Sequence, residues 1–158
     1  MAIANFGKCI TYLAAIGTFG FFLGRILPKN WFRWDQFPYK SYPFEKEGYL
    51  YQQLQIQKWH NRVPDMSRIL PFLMPPKRLS SKPSLTQLVV MLQETCIAEL
   101  IHGLLLLGGF FCGHIWPGIG GFTIALLNAL GNLPFILIQR YNRPRLLRMY
   151  KRLIREVA

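Results

Sequence analysis

Apolar residues gather along the chain into three long runs that carry almost no charge, at residues 9–27, 97–116 and 120–138. A helix needs ~20 predominantly apolar residues to cross the hydrocarbon core of a bilayer, and each run is close to that length. The pattern predicts an all-α integral membrane protein with three transmembrane helices, organised as a single membrane domain over residues 1–158. Only a short uncharged turn around Pro117 separates the second run from the third, which makes the two a helical hairpin. Gly20 and Gly24 have the G-x-x-x-G spacing that lets a neighbouring helix come close. A secretory signal would carry its positive charge ahead of the apolar stretch, whereas Lys8 alone precedes this one and Arg25, Lys29 and Arg33 follow it. A retained helix is expected.

The middle segment, residues 28–94, reads differently. It mixes cations with Trp31, Phe32, Trp34, Tyr39, Tyr42, Phe44, Tyr51 and Trp59, the combination that marks a membrane interface. Prolines divide it, leaving one predicted interfacial helix at residues 45–61, a Pro-rich connection, and a new helix opening at Ser84. Ser84-Leu85-Thr86-Gln87 has the form of a capping box, and Leu85, Leu88, Val89 and Leu92 follow at helical spacing toward the second span. After Pro144, residues 145–157 predict a short basic helix on the bilayer surface.

Charge orients this framework. The chain has 158 residues and a formal net charge of +12, with 51% hydrophobic and only 16% charged residues. A nucleic-acid binder would spread such charge over a polar surface, so no nucleic acid is expected and the anionic partners are membrane lipids. Cations crowd both the middle segment and the tail, which puts both on the cytoplasmic side, with the N-terminus outside and the C-terminus inside. Cys9, Cys96 and Cys112 stand in apolar surroundings and read as small buried hydrophobes. With His60, His102 and His114 scattered, no metal site is expected.

The candidate chemistry starts at Glu94-Thr95-Cys96-Ile97-Ala98-Glu99-Leu100-Ile101-His102, where polar groups enter a span that charges them several kcal/mol without partners. At 100° per residue, Glu94, Thr95, Ala98, Glu99 and His102 fall within an arc of about 140°. A carboxylate holding one imidazole nitrogen leaves the other to take a proton from a hydroxyl, as acyl transfer requires. The same pair could equally lock helices together. On the third span Gly121, Ala125, Asn128, Asn132 and Gln139 form a stripe about 60° wide that should face the Glu–His side. Asn128 suits either an interhelical hydrogen bond or a substrate contact. Pro134 frees the carbonyl of Leu130. The cluster Gln139-Arg140-Tyr141-Asn142-Arg143-Pro144-Arg145 suits phosphate, although positive-inside anchoring also explains it. His60 and Asp65 have the His-x-x-x-x-Asp spacing of glycerolipid acyltransferases, without the companion motifs.

The Glu94 to His102 motif, with Asn132-x-Pro134 and the Gln139 to Arg145 cluster, resembles the CrtO family, the glycosyl-4,4'-diaponeurosporenoate acyltransferases of staphyloxanthin-type carotenoid biosynthesis. The order of apolar runs is similar throughout, as is the middle region around Trp59 and Asp65. The resemblance implies a cell-membrane acyltransferase with a glycosylated lipid acceptor and a fatty acyl donor, an acyl thioester serving as co-substrate and no other cofactor. It marks Glu94, Glu99 and His102 as catalytic candidates, and Asn132, Arg140, Asn142, Arg143, Trp59 and Asp65 as candidates for substrate binding. The expected mechanism has His102, oriented by Glu99, deprotonate the acceptor hydroxyl while Arg140, Asn142 and Arg143 hold the donor. The competing class is a non-catalytic lipid-binding or assembly protein. A transporter would need several copies to line a path, and a homo-oligomer stays open as a partner.

Overall fold

The computed structural model describes residues 1–60, 63 and 83–157, and the regular structure among them is entirely helical. Helix α1 is Ala2–Ile26, α2 Tyr49–Gln53, α3 Ile56–Trp59, α4 Leu85–Gly109, α5 Cys112–Ile115 and α6 Ile119–Val157, with 3-10 turns at Lys29–Trp31 and Pro43–Gly48. Three segments are long and apolar enough to cross a membrane: α1, α4 with α5, and most of α6. They leave Phe19, Phe22, Leu107, Leu126, Leu127 and Leu130 exposed, apolar surface that lipid chains rather than water would cover. The chain is a multi-pass membrane protein.

Two expected boundaries move. The predicted interfacial helix at 45–61 is instead a 3-10 turn and two short helices, interrupted by left-handed backbone at Lys46, Glu47, Gly48 and Gln55. Glu45 points inward at that break, so a buried ion pair replaces helical continuity. The separate tail helix at 145–157 is likewise absent, because α6 continues through Pro144 to Val157. A proline inside a helix removes one hydrogen bond and crowds the preceding turn. Packing on both sides compensates: Tyr141 is buried with Tyr51 and Ile56, and Leu146 with Leu88 and Leu92. Gly48, at φ 99°, lies against the Pro144 ring, where an added Cβ would come within 3.4 Å of Pro144 Cγ.

The chain forms two compact units, Met1–Pro28 with Ile97–Ile136 and Lys29–Cys96 with Leu137–Ala158. In the first, Cys9, Cys112 and Ile124 form a buried cluster with Tyr12, Leu13, Ile115 and Trp116 around it. Gly20 and Gly24 let α1 approach α4 so closely that a Cβ at either would stand 3.3 Å from Ile101. The Tyr12 hydroxyl ties the same helices by donating to the Gly108 carbonyl at 3.0 Å.

In the second unit the start of α4 is capped as its sequence predicts. Gln87 N–H donates to Ser84 Oγ at 3.2 Å, and Ser84 N–H donates to Gln87 Oε1 at 3.0 Å. Leu88 and Leu92 then bury against Leu146 of α6, with Trp34, Leu147 and Tyr150 around them. Cys9, Cys96 and Cys112 are all buried.

Candidate active site

The first unit contains a chain of polar side chains within its membrane-crossing helices. His102 Nδ1 lies 2.9 Å from Asn132 Oδ1, and its ring stacks on Phe135 with centroids 4.3 Å apart and planes 6° from parallel. Asn132 Nδ2 donates to the Asn128 carbonyl at 2.9 Å and to Asn128 Oδ1 at 3.2 Å. A backbone carbonyl can only accept, so the Asn132 end facing it is the amino end and the end facing His102 is the oxygen. His102 Nδ1 is then the donor, and Nε2 holds a lone pair with no hydrogen-bond partner among the described residues. The polar stripe of the third span thus meets His102 as its spacing suggested. The Nδ1 partner differs from expectation, being an amide thirty residues along the chain rather than Glu99 one turn back.

The second unit arranges the arginines. Arg140 Nη1 pairs with the buried Glu45 carboxylate at 2.9 Å, its Nη2 donates to the Pro38 carbonyl at 2.9 Å, and its guanidinium stacks on Tyr42. Glu45 also accepts from the Tyr51 hydroxyl and the Tyr42 N–H. Arg143 is only 3% exposed. Its Nε donates to Thr95 Oγ1 at 3.0 Å and its Nη1 to the Tyr39 carbonyl at 2.6 Å. Both guanidiniums therefore bind protein groups and hold the segment around residues 38–45 onto α6. Arg148, Lys151 and Arg152 lie further along α6 and are exposed.

The remaining candidates are placed as follows. Glu94 pairs with Lys29 at 2.9 Å. Trp59 donates its indole N–H to the Leu54 carbonyl at 3.0 Å and packs on the cluster of Tyr51, Ile56 and Tyr141. Asn142 is half-buried on α6, and Glu99 is half-buried on α4 one turn before His102. Asp65 lies outside the described residues. His60 Nδ1 lies 3.0 Å from the Ile56 carbonyl. Glu45 and Phe135 escaped the sequence reading because neither has a local pattern linking it to Arg140 or His102.

Comparison with known proteins bears on this arrangement. Residues 28–152 match the family model described as CrtO, glycosyl-4,4'-diaponeurosporenoate acyltransferase. The chain belongs to the CrtO family. The matched region includes the motif from Glu94 to His102, Asn132 and the arginine cluster. A protein of Staphylococcus aureus strain MRSA252, named glycosyl-4,4'-diaponeurosporenoate acyltransferase, is 30% identical over 134 residues, covering 82% of this chain and 80% of that protein. Proteins of the same name from the bovine strain RF122 / ET3-1 and from strain USA300 are 31% and 30% identical over the same extent. No solved structure matches the chain.

Proposed function

We propose that this chain transfers a fatty acyl group from an activated donor, an acyl thioester, to a sugar hydroxyl of a glycosylated carotenoid, with His102 as the general base. The observation carrying this reading is the His102–Asn132 hydrogen bond, which leaves the lone pair of Nε2 available inside a membrane-crossing helix of a family named for acyl transfer. The acceptor O–H gives its proton to Nε2 as the oxygen attacks the thioester carbonyl carbon. The tetrahedral intermediate collapses with cleavage of the C–S bond, and the imidazolium returns the proton to the departing thiolate. Glu99, on the same helix one turn away, favours the imidazolium as it forms.

Arg140 and Arg143 are held inside the protein by their partners, so we assign them to building the second unit. The donor's anionic group we assign to Arg148, Lys151 and Arg152, which are exposed; the contacts of Arg148 with the Glu47 carbonyl and of Arg152 with Glu156 lie at the surface, where an anion can compete for them. The charge distribution supports a cell-membrane orientation with the N-terminus outside and these cations in the cytoplasm. Lipid mass spectrometry of cells with and without the protein tests the function. A glycolipid pair differing by one acyl group is expected only when the protein is present. Purified protein in detergent should turn over an acyl thioester with a glycosylated carotenoid. Absence of both signals would favour a non-catalytic lipid-binding or assembly role.

A further inference from the structure

Beyond the base itself, the first unit has a second asparagine whose contacts are unusually determined. Asn128 Nδ2 donates to the Leu105 carbonyl on α4 at 2.9 Å. Because that acceptor belongs to the backbone, the amide cannot be reversed without facing one oxygen with another. The other end of Asn128, Oδ1, is thereby directed at Asn132 Nδ2, 3.2 Å away. Gly109 supplies a steric limit as well: a Cβ there would overlap the Asn128 amide, so the side chain lies directly against bare backbone.

We infer that Asn128 is a positioning residue for acyl transfer, acting through Asn132 to hold His102 in the tautomer with the proton on Nδ1 and the lone pair on Nε2. Every link has one sense. Leu105 O accepts from Asn128, Asn128 Oδ1 and the Asn128 carbonyl accept from Asn132, and Asn132 Oδ1 accepts from His102. Two backbone carbonyls, of Leu105 and Asn128, set the direction of the whole chain, and neither changes with the substrate. Inside a bilayer no water competes for these groups, so an imidazole in the other tautomer would present a lone pair to the lone pairs of Asn132. The amide does the orienting that the sequence suggested for Glu99, while adding no charge to the membrane interior. Interhelical attachment alone would require only the bond to Leu105, not the one to Asn132.

The inference rests on His102 being the base, and the experiment separates the two. Nitrogen-15 spectra of the full chain in detergent at a pH of about 8, above the usual imidazole range, report which ring nitrogen carries the proton. The His102 signals are identified by their loss in His102→Gln. The native protein should show Nδ1 protonated and Nε2 unprotonated. Asn128→Leu, close in size, keeps the carbonyl of residue 128 but removes Oδ1, leaving Asn132 Nδ2 one acceptor in place of two; it should admit a second tautomer beside the native one and lower kcat by about tenfold with little change in KM. A native spectrum dominated by the Nε2-protonated form overturns the inference whether or not the variant folds. So does Asn128→Leu with an unchanged spectrum and a kcat within about twofold of native. Activity surviving in His102→Ala instead removes the base assignment, a result distinct from either.

Discussion

At the scale of single residues, the proposed orientation of His102 depends on neutral amides aligned by fixed backbone acceptors. His102→Ala should abolish turnover while the protein still inserts, and His102→Gln should not restore it, because an amide can fill the space without taking the proton. Turnover measured beside the melting temperature checks this. A His102→Gln protein with near-native turnover would rule out histidine as the base. Gly109→Ala is a more distant probe. Its methyl would occupy the place of the Asn128 amide, so the variant should lose about 1–3 kcal/mol of stability by overpacking and lose activity with it. Gly103, where an added Cβ would meet no atom of another element within 4 Å, is the matched control: Gly103→Ala should be tolerated.

At the scale of elements, α6 is one helix with two kinds of neighbour. Its early residues present Asn128 and Asn132 to His102 within the first unit, and its later residues hold Arg140 and Arg143 within the second. Arg140→Met would leave the Glu45 carboxylate buried without its cation and should destabilise the fold by about 3–5 kcal/mol. Adding Glu45→Gln should recover a large part of that loss, which thermal unfolding of the single and double variants measures. Arg143→Lys retains charge but cannot reach Thr95 and the Tyr39 carbonyl with one planar fork. We expect its melting temperature and kcat to fall together with the donor KM unchanged. A raised donor KM at native stability would return Arg143 to donor binding.

At the scale of the whole molecule, three segments are long and apolar enough to cross a membrane, and the distribution of cations predicts which way they do so. Cysteine labelling from each side of the membrane should find the N-terminus outside and residues 29–60 and 137–157 inside. Labelling of the tail from outside would reverse the orientation and remove the cytoplasmic donor from the mechanism. Substituting Arg148, Lys151 and Arg152 together with Gln should raise the donor KM by about tenfold while leaving the melting temperature near native, since these side chains are exposed. Failure to raise it would place the donor's charge elsewhere.

The three apolar runs and the Ser84–Gln87 cap were legible in the sequence because each is a local property: a run of residues that can exchange water for lipid, or a side chain reaching a backbone group three residues away. The polar faces of the second and third spans were legible for the same reason, since helical periodicity alone puts His102 on one stripe and Asn128 with Asn132 on another. Periodicity cannot choose a partner among groups on the same face and groups on another helix. Glu99 therefore stood as the partner of the His102 ring nitrogen that tertiary structure gives to Asn132. Pro144 shows the same limit for an element, being a helix terminator in isolation but an interior residue where Tyr141 and Leu146 pack on either side of it. The arginine cluster was visible as charge, yet only the folded chain brings Glu45 to Arg140 across 95 residues and Thr95 to Arg143 across 48. Local sequence determined which segments enter the membrane and which polar groups they carry; packing decided which of those groups meet, because hydrogen-bond direction and ion pairing depend on distances that sequence separation does not encode.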